Sequence, residues 1–418
     1  MILRKRTARL LVGVAAGALV VSACGSRSTG DTGSGSNPSG SSSSGSGASK
    51  VAKIGVIAPL TGDLSALGLG IKNSVDLAIK QANKDNKVKG WTLELDAQSD
   101  DAKPGPATNA ATTLSSDPKV AAVVGTLNSS TAQIVQPILS QTHIAMVSPA
   151  NTNPSLTQGA DYLTNKKRAF DNYFRTATTD AVQGPFAAQY VYTTLGIKKA
   201  ATINDNKAYG KGLVQTFETE FKRLGGTITS TQTINPDGDK NYSGVITKIK
   251  PSAPGLIYYG GEFPQAGPLS GQLAQAGLAV PLMGGDGIYD PKYIELGGRP
   301  MDLATSVGAP IESLASGKSF IDAYKAASYK EPYGAYGGYA YDAANAVIEA
   351  LSTTLPGADS VQAARQDIVK ALGSVSFDGV TGKVAFDEFG DATNKTLTVY
   401  KVSPEKKWVA EKTGTLAQ

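Results

Sequence analysis

The chain has 418 residues, 41% hydrophobic and 18% charged, a globular make-up too long for one ordinary core and suited to two packed domains plus appendages. Its formal charge of +5 falls to +1 once residues 1–23 are set aside, since Arg4, Lys5, Arg6 and Arg9 lie there without an acid; nothing in the charge points to nucleic acid. With one cysteine (Cys24) and one histidine (His143), an internal disulfide, a His/Cys metal cluster and any triad built without His143 are excluded.

The basic stretch Met1–Arg9 is followed by the apolar run Leu10–Val21, too short to span a bilayer, and then by small residues. That is the order of an export signal. Val21-Ser22-Ala23-Cys24 resembles a lipobox, which implies cleavage after residue 23 and acylation of Cys24. Residues 24–49 are dominated by Ser and Gly and cannot bury enough apolar surface to offset their ordering entropy, so a flexible tether is expected between anchor and folded body.

From residue 50 onward, short apolar runs alternate with helical periodicity. Strands are expected over Lys53–Ala58, Trp91–Ala97, Val120–Val124 and Ile144–Val147. Helices are expected over the Ile71–Ala82 region, Ala107–Leu114 and Ala132–Leu139. The alternation then begins again, with strands at Ala200–Ile203, Thr227–Ile234, Leu256–Tyr259 and Pro281–Met283. Helices at Leu213–Leu224, Gly244–Ile249 and Leu269–Gly277 separate them. Three further helices (Ser319–Ser328, Gly338–Leu351, Val361–Leu372) and two β-rich runs (Gly382–Phe386, Thr396–Val402) close the chain.

This order predicts an α/β protein of two doubly wound, parallel-sheet lobes joined by a multi-strand hinge. The expected lobes are 50–177 with 310–377, and 178–309 with 378–418. An internal echo supports the duplication: Leu67-Gly68-Leu69-Gly70 and Tyr209-Gly210-Lys211-Gly212 both lead from strand to helix, 142 residues apart. Two such lobes would face each other with strand C-termini and helix N-termini on one crevice, where open α/β sheets take ligands.

The catalytic inventory is poor. His143 is expected to be structural or exposed, no phosphate-binding loop of the G-x-x-x-x-G-K-[ST] kind is present, and the paired acids (Asp100/Asp101, Asp237/Asp239, Asp387/Glu388) sit in turn-like contexts. No catalytic residue, cofactor or metal is expected. The loop Gly125-Thr126-Leu127-Asn128-Ser129-Ser130-Thr131 opens a helix with Ser129 or Ser130 as its cap; it suits a carboxylate, and equally an ordinary cap.

The next strand ends in Ser148-Pro149-Ala150-Asn151-Thr152-Asn153-Pro154. Together with Arg175-Thr176, Asp180, Gln183-Gly184-Pro185, Asp205, Tyr209-Gly210-Lys211-Gly212, Tyr258-Tyr259-Gly260-Gly261 and Gly284-Gly285-Asp286-Gly287, this ordered set resembles the branched-chain amino acid binding proteins. Those are extracytoplasmic receptors of ABC importers with the periplasmic-binding-protein type I fold. The resemblance implies that Ser129, Thr152 and Ala150 hold the ligand's α-carboxylate, with Leu127, Asn128 and Asn151 in the same two loops. Tyr209 would close over the ligand, Asp286 would pair with its ammonium, and Asp180 and Tyr341 would fall at further pocket positions. Leu67 stands where family members often have tyrosine, and Glu262 where some have an aromatic residue.

The implied protein is a lipid-anchored, extracytoplasmic monomer. It captures an amino acid, branched-chain or similarly aliphatic, by lobe closure and presents it to an ABC permease. A binding protein or sensor for an amide, urea or aromatic acid on the same fold is the alternative, and an exported enzyme using a carboxylate pair is a more distant one.

Overall fold

The computed structural model describes residues 50–238 and 240–416; the export signal, Cys24 and the Ser/Gly segment lie outside the described residues. Val120–Gly125 is buried at every position, as a parallel strand covered on both faces must be. It lies at the centre of a five-stranded sheet. The strands are β1 (Lys50–Ala58), β2 (Trp91–Ser99), β3 (Val120–Gly125), β4 (Ala145–Ser148) and β5 (Tyr173–Arg175), in the order β2-β1-β3-β4-β5 and all parallel.

Side-chain alternation splits the core of this lobe between the two faces. Ile57, Val123 and Met146 meet the helices Pro104–Ser116 and Ser129–Gln141. Ile54, Val56, Ala122, Val124 and Val147 meet the helices Ser65–Lys84, Gly337–Thr354 and Val361–Leu372.

The second sheet repeats the plan with β6 (Lys199–Asn204), β7 (Thr227–Thr233), β8 (Leu256–Gly260), β9 (Leu282–Gly284) and β10 (Leu303–Ser306), ordered β7-β6-β8-β9-β10 and parallel. A small hairpin of β11 (Ser376–Gly379) and β12 (Gly382–Ala385) stands apart from it. Two late strands, β13 (Leu397–Val402) and β14 (Trp408–Gly414), extend the sheet antiparallel beyond β10. One face packs on the helices Asp180–Gln189 and Ala208–Arg223 through Tyr258, Phe217 and Phe221; Tyr258 and Phe217 stack at 3.8 Å between ring centroids. The helices Ser243–Ile249 and Phe263–Gln275 cover the other face.

Both lobes are therefore doubly wound α/β units, as the strand–helix alternation predicts. The chain passes between them three times: after β5, after β10 and before β13. Arg175, fully buried at the first crossing, donates to Asp391 Oδ1 at 2.7 Å and to the carbonyls of Asn151 and Asn153 at 2.9 Å, so one guanidinium ties the crossings to the β4 loop. Among the described residues no helix is long and apolar enough to cross a membrane. His143 is exposed and ends a helix with φ 55°.

Candidate functional site

In each sheet the strand order reverses beside the first strand, β1 or β6, which puts a crevice at the carboxyl ends of its neighbours. The loops that leave β1, β3 and β4 meet those that leave β6, β8 and β9 around one cavity. Leu67, Leu127, Asn128, Ser129 and Ala150 line it from the first lobe, and Tyr209, Glu262, Asp286 and Gly287 from the second. Tyr336, at the start of helix Gly337–Thr354, completes the wall.

Asp286 is the most heavily bonded group in the cavity. Its Oδ1 accepts from Tyr209 Oη at 2.9 Å and Gln183 Nε2 at 2.9 Å, and its Oδ2 from Tyr336 Oη at 2.8 Å. Burial pushes its pKa up, while these three donors oppose the shift. Tyr209 and Tyr336 are also raised, by burial first and then by the Asp286 charge, so both hydroxyls stay protonated donors near neutral pH. Glycines make the loop's approach possible: a Cβ on Gly285 would lie 2.5 Å from Tyr209 Oη, and one on Gly287 2.9 Å from Tyr209 Cε1.

The opposite wall supplies donors. Ser129 is the first residue of its helix, and the leading N–H groups of a helix have no partner inside it. The cap is Asn128, not a serine as the sequence suggests, and its side chain makes no capping bond. Asn128 Nδ2 instead donates to Glu262 Oε1 of the other lobe at 2.7 Å. Beside it, Ala150 gives its N–H to Ser148 Oγ at 3.2 Å, which leaves the carbonyl as its free polar group.

Three expected site residues stand one layer behind the cavity. Asn151 Nδ2 donates to Leu127 O at 2.9 Å and Asn151 Oδ1 accepts from Tyr173 Oη at 3.0 Å, so it clamps the β3 loop to the β4 loop. Thr152 accepts at its carbonyl from Asp180 N at 2.8 Å, and its hydroxyl is buried without a formed hydrogen bond. Asp180 Oδ1 accepts from Gln183 Nε2 at 3.1 Å; burial, then the nearby Asp286 charge, pushes its pKa up to about 8.

Tyr341 is not at the cavity. It packs on Phe320 with ring centroids 5.1 Å apart and donates its hydroxyl to Gln81, on the flank of the first lobe. The residue that reaches Asp286 is Tyr336, five positions earlier and about 140° around a helix of 3.6 residues per turn. Four tyrosines within nine residues (333, 336, 339, 341) gave the sequence no way to choose among helix faces. Gly287 and Gln183 are the other participants not singled out from sequence; both sit in motifs that were.

The lobes touch directly across the cleft. Besides Asn128–Glu262 and Tyr336–Asp286, Asn153 Nδ2 donates to Ala208 O at 2.6 Å. The cavity is thus enclosed by two lobes in their closed relation. It offers a carboxylate on one side and a helix start with hydroxyl and amide donors on the other.

Known proteins are similar to this chain along most of its length. A Leu/Ile/Val-binding protein homolog of Brucella melitensis is 31% identical over 351 residues, covering 83% of this chain and 90% of the relative. A leucine-, isoleucine-, valine-, threonine- and alanine-binding protein of Pseudomonas aeruginosa is 28% identical, covering 85% of this chain and 90% of that one. The crystal structure of a leucine-binding protein from Thermotoga maritima superposes with a TM-score of 0.76 at 28% identity, over 87% of this chain and 98% of the other. The periplasmic binding protein family matches residues 51–407. The chain belongs to that family.

Proposed function

We propose that this chain is the extracytoplasmic receptor of an ABC importer and that its ligand is a free α-amino acid with an aliphatic body, held unchanged between the closed lobes. The carrying observation is the pairing of a buried, triply hydrogen-bonded Asp286 with the Ser129 helix start across one enclosed cavity. A zwitterion meets both demands at once: its carboxylate takes the helix N–H groups and the Ser129 hydroxyl, and its ammonium pairs with Asp286. With its N–H held by Ser148, Ala150 has its carbonyl to offer and would be a second acceptor for the ammonium. Leu67 and Leu127 supply the apolar wall.

Relatives described as binding leucine, isoleucine and valine support this reading, as does a Streptococcus pneumoniae homologue solved with isoleucine, 25% identical with a TM-score of 0.75. The basic leader, the apolar run and Cys24 after Val21-Ser22-Ala23 support export and a lipid anchor, with residues 25–49 as tether and a membrane permease as the partner that accepts the closed form. An aromatic acid or an amide has no ammonium, and would leave Asp286 buried without a cation.

A thermal-shift screen of the folded body against the amino acids, short amides and benzoates tests this, since a ligand of the native state raises the melting temperature. Aliphatic amino acids should shift it and benzoates should not. Benzoates or amides shifting it while every amino acid fails would overturn the assignment.

A further inference from the structure

Once the carboxylate and ammonium ends of the ligand are assigned, one polar corner of the cavity remains. It is built by Asn128 and Glu262, both more than nine-tenths buried and both lining the wall. Asn128 Nδ2 donates to Glu262 Oε1 at 2.7 Å, and that bond fixes the amide: the NH₂ group must face the carboxylate, so Oδ1 faces the other way. Asn128 Oδ1 is buried and finds no donor among the described residues. Glu262 Oε2 lies 3.8 Å from the Lys207 ammonium, beyond hydrogen-bond length. Behind it, Asp205 Oδ1 is taken by Lys207 N at 3.0 Å, and burial together with the Glu262 charge pushes the Asp205 pKa well up, so its carboxyl keeps a proton to share with Glu262.

The acceptor left without any partner in this corner is Asn128 Oδ1. A purely aliphatic side chain placed there would leave Asn128 Oδ1 dry and unpaired beside the Glu262 carboxylate, which a buried polar group tolerates poorly. The Lys207 ammonium supplies the local positive charge and so discourages a second cation.

We infer that the Asn128–Glu262 corner is a specificity device selecting an amino acid whose side chain ends in an uncharged hydrogen-bond donor, a hydroxyl or a carboxamide. This rests on the α-amino-acid reading above and revises its aliphatic side chain to one with a polar end. It also explains why Asn128 leaves its helix uncapped: the side chain is spent across the cleft.

Matched pairs give the test, because threonine and valine differ by a hydroxyl in place of a methyl, and glutamine and methionine are similar in length. Calorimetry on the wild-type protein should show threonine over valine, glutamine over methionine, or both, by about tenfold or more, as expected where a buried acceptor is left unpaired by the apolar partner. Glu262→Leu should erase or invert that preference. Glu262→Gln, which keeps the size and the bond from Asn128, should reduce it, and gives the answer if the leucine variant does not fold. Valine binding as tightly as threonine and methionine as tightly as glutamine in the wild type overturns the inference while leaving the amino-acid reading intact. Lysine or arginine preferred over glutamine overturns the assignment of an uncharged donor. Binding by none of the amino acids removes the broader reading and this inference with it.

Discussion

Tyr336 donates its hydroxyl to Asp286 Oδ2 at 2.8 Å, and the two residues belong to different lobes. The bond does two things. It supports the carboxylate that is proposed to meet the ligand's ammonium, and it exists only when the lobes are together. Tyr336→Phe should therefore weaken ligand binding by about 1.5–3 kcal/mol, the range for a hydrogen bond to a charged group. Tyr341→Phe removes a hydroxyl of the same helix that bonds to Gln81 outside the cavity, and should leave affinity unchanged. Titration calorimetry of the two variants with one amino acid separates them; wild-type affinity in Tyr336→Phe would mean that residue 336 acts through its ring alone.

Asp286 and Ser129 stand on opposite walls, so they should respond to different parts of the ligand. Asp286→Asn keeps the shape and the hydrogen bonds from Tyr209 and Gln183 but removes the charge, and should cost an α-amino acid about 1.5–3 kcal/mol. The same substitution should cost the corresponding acid without an amino group little. Ser129→Ala should weaken both ligands alike. The comparison is a four-way calorimetric measurement, and an unchanged amino-acid affinity in Asp286→Asn would sink the ammonium assignment.

Much of this was legible in the sequence, and for identifiable reasons. β3 and β8 announce themselves because a strand buried on both faces has to be apolar throughout. The glycine pairs at 68/70 and 210/212 mark the two strand-to-helix turns. Other elements carry signals that contradict their structure. β5 is three residues ending in a fully buried arginine, whose burial is intelligible only once Asp391, far along the chain, is placed beside it. β14 lies on an exposed edge and reads as polar chain. Helix Asp180–Gln189 contains Gly184 and Pro185, both poor helix formers, yet a Cβ at 184 would lie 2.1 Å from Thr216 Oγ1, so close packing on the neighbouring helix dictates the glycine. At the site, the loops were legible and the choice among tyrosines was not, because it depends on helix phase relative to the other lobe.

Asp180 gives the protein a pH signature. It is fully buried, and its pKa is pushed up to about 8 by burial and by Asp286, against 3.8 for the free group. Between those values the folded state holds a proton that the unfolded state has released. This group's contribution to stability is therefore complete below about pH 4 and is lost as pH rises through about 8, by at most ~1.4 kcal/mol per pH unit for one proton. Asp180→Asn keeps an acceptor for Gln183 and cannot ionise. Melting temperatures of wild type and variant should match most closely near pH 5 and diverge in the variant's favour toward pH 8. Parallel curves across that range would show that Asp180 does not hold its proton in the folded state.

The glycines of the two strand-to-helix turns make a prediction about the duplication itself. A Cβ on Gly210 would lie 2.3 Å from Gly260 O, and one on Gly68 would lie 2.0 Å from Pro59 O. Both contacts are with backbone carbonyls, which cannot swing aside as a side chain can. Gly210→Ala and Gly68→Ala should each destabilise the fold by about 1–3 kcal/mol or more, the cost of forcing backbone apart in a packed region. Each should also weaken binding, since Tyr209 and Leu67 sit one residue away on the cavity wall. Gly105 lies in the helix Pro104–Ser116, and a methyl group added there would meet nothing within 4 Å, so Gly105→Ala should be neutral or stabilising by up to ~1 kcal/mol. Urea midpoints at constant slope measure all three. A neutral Gly210→Ala would show that the loop after β8 has slack, and that the two turns are alike in sequence without being alike in constraint.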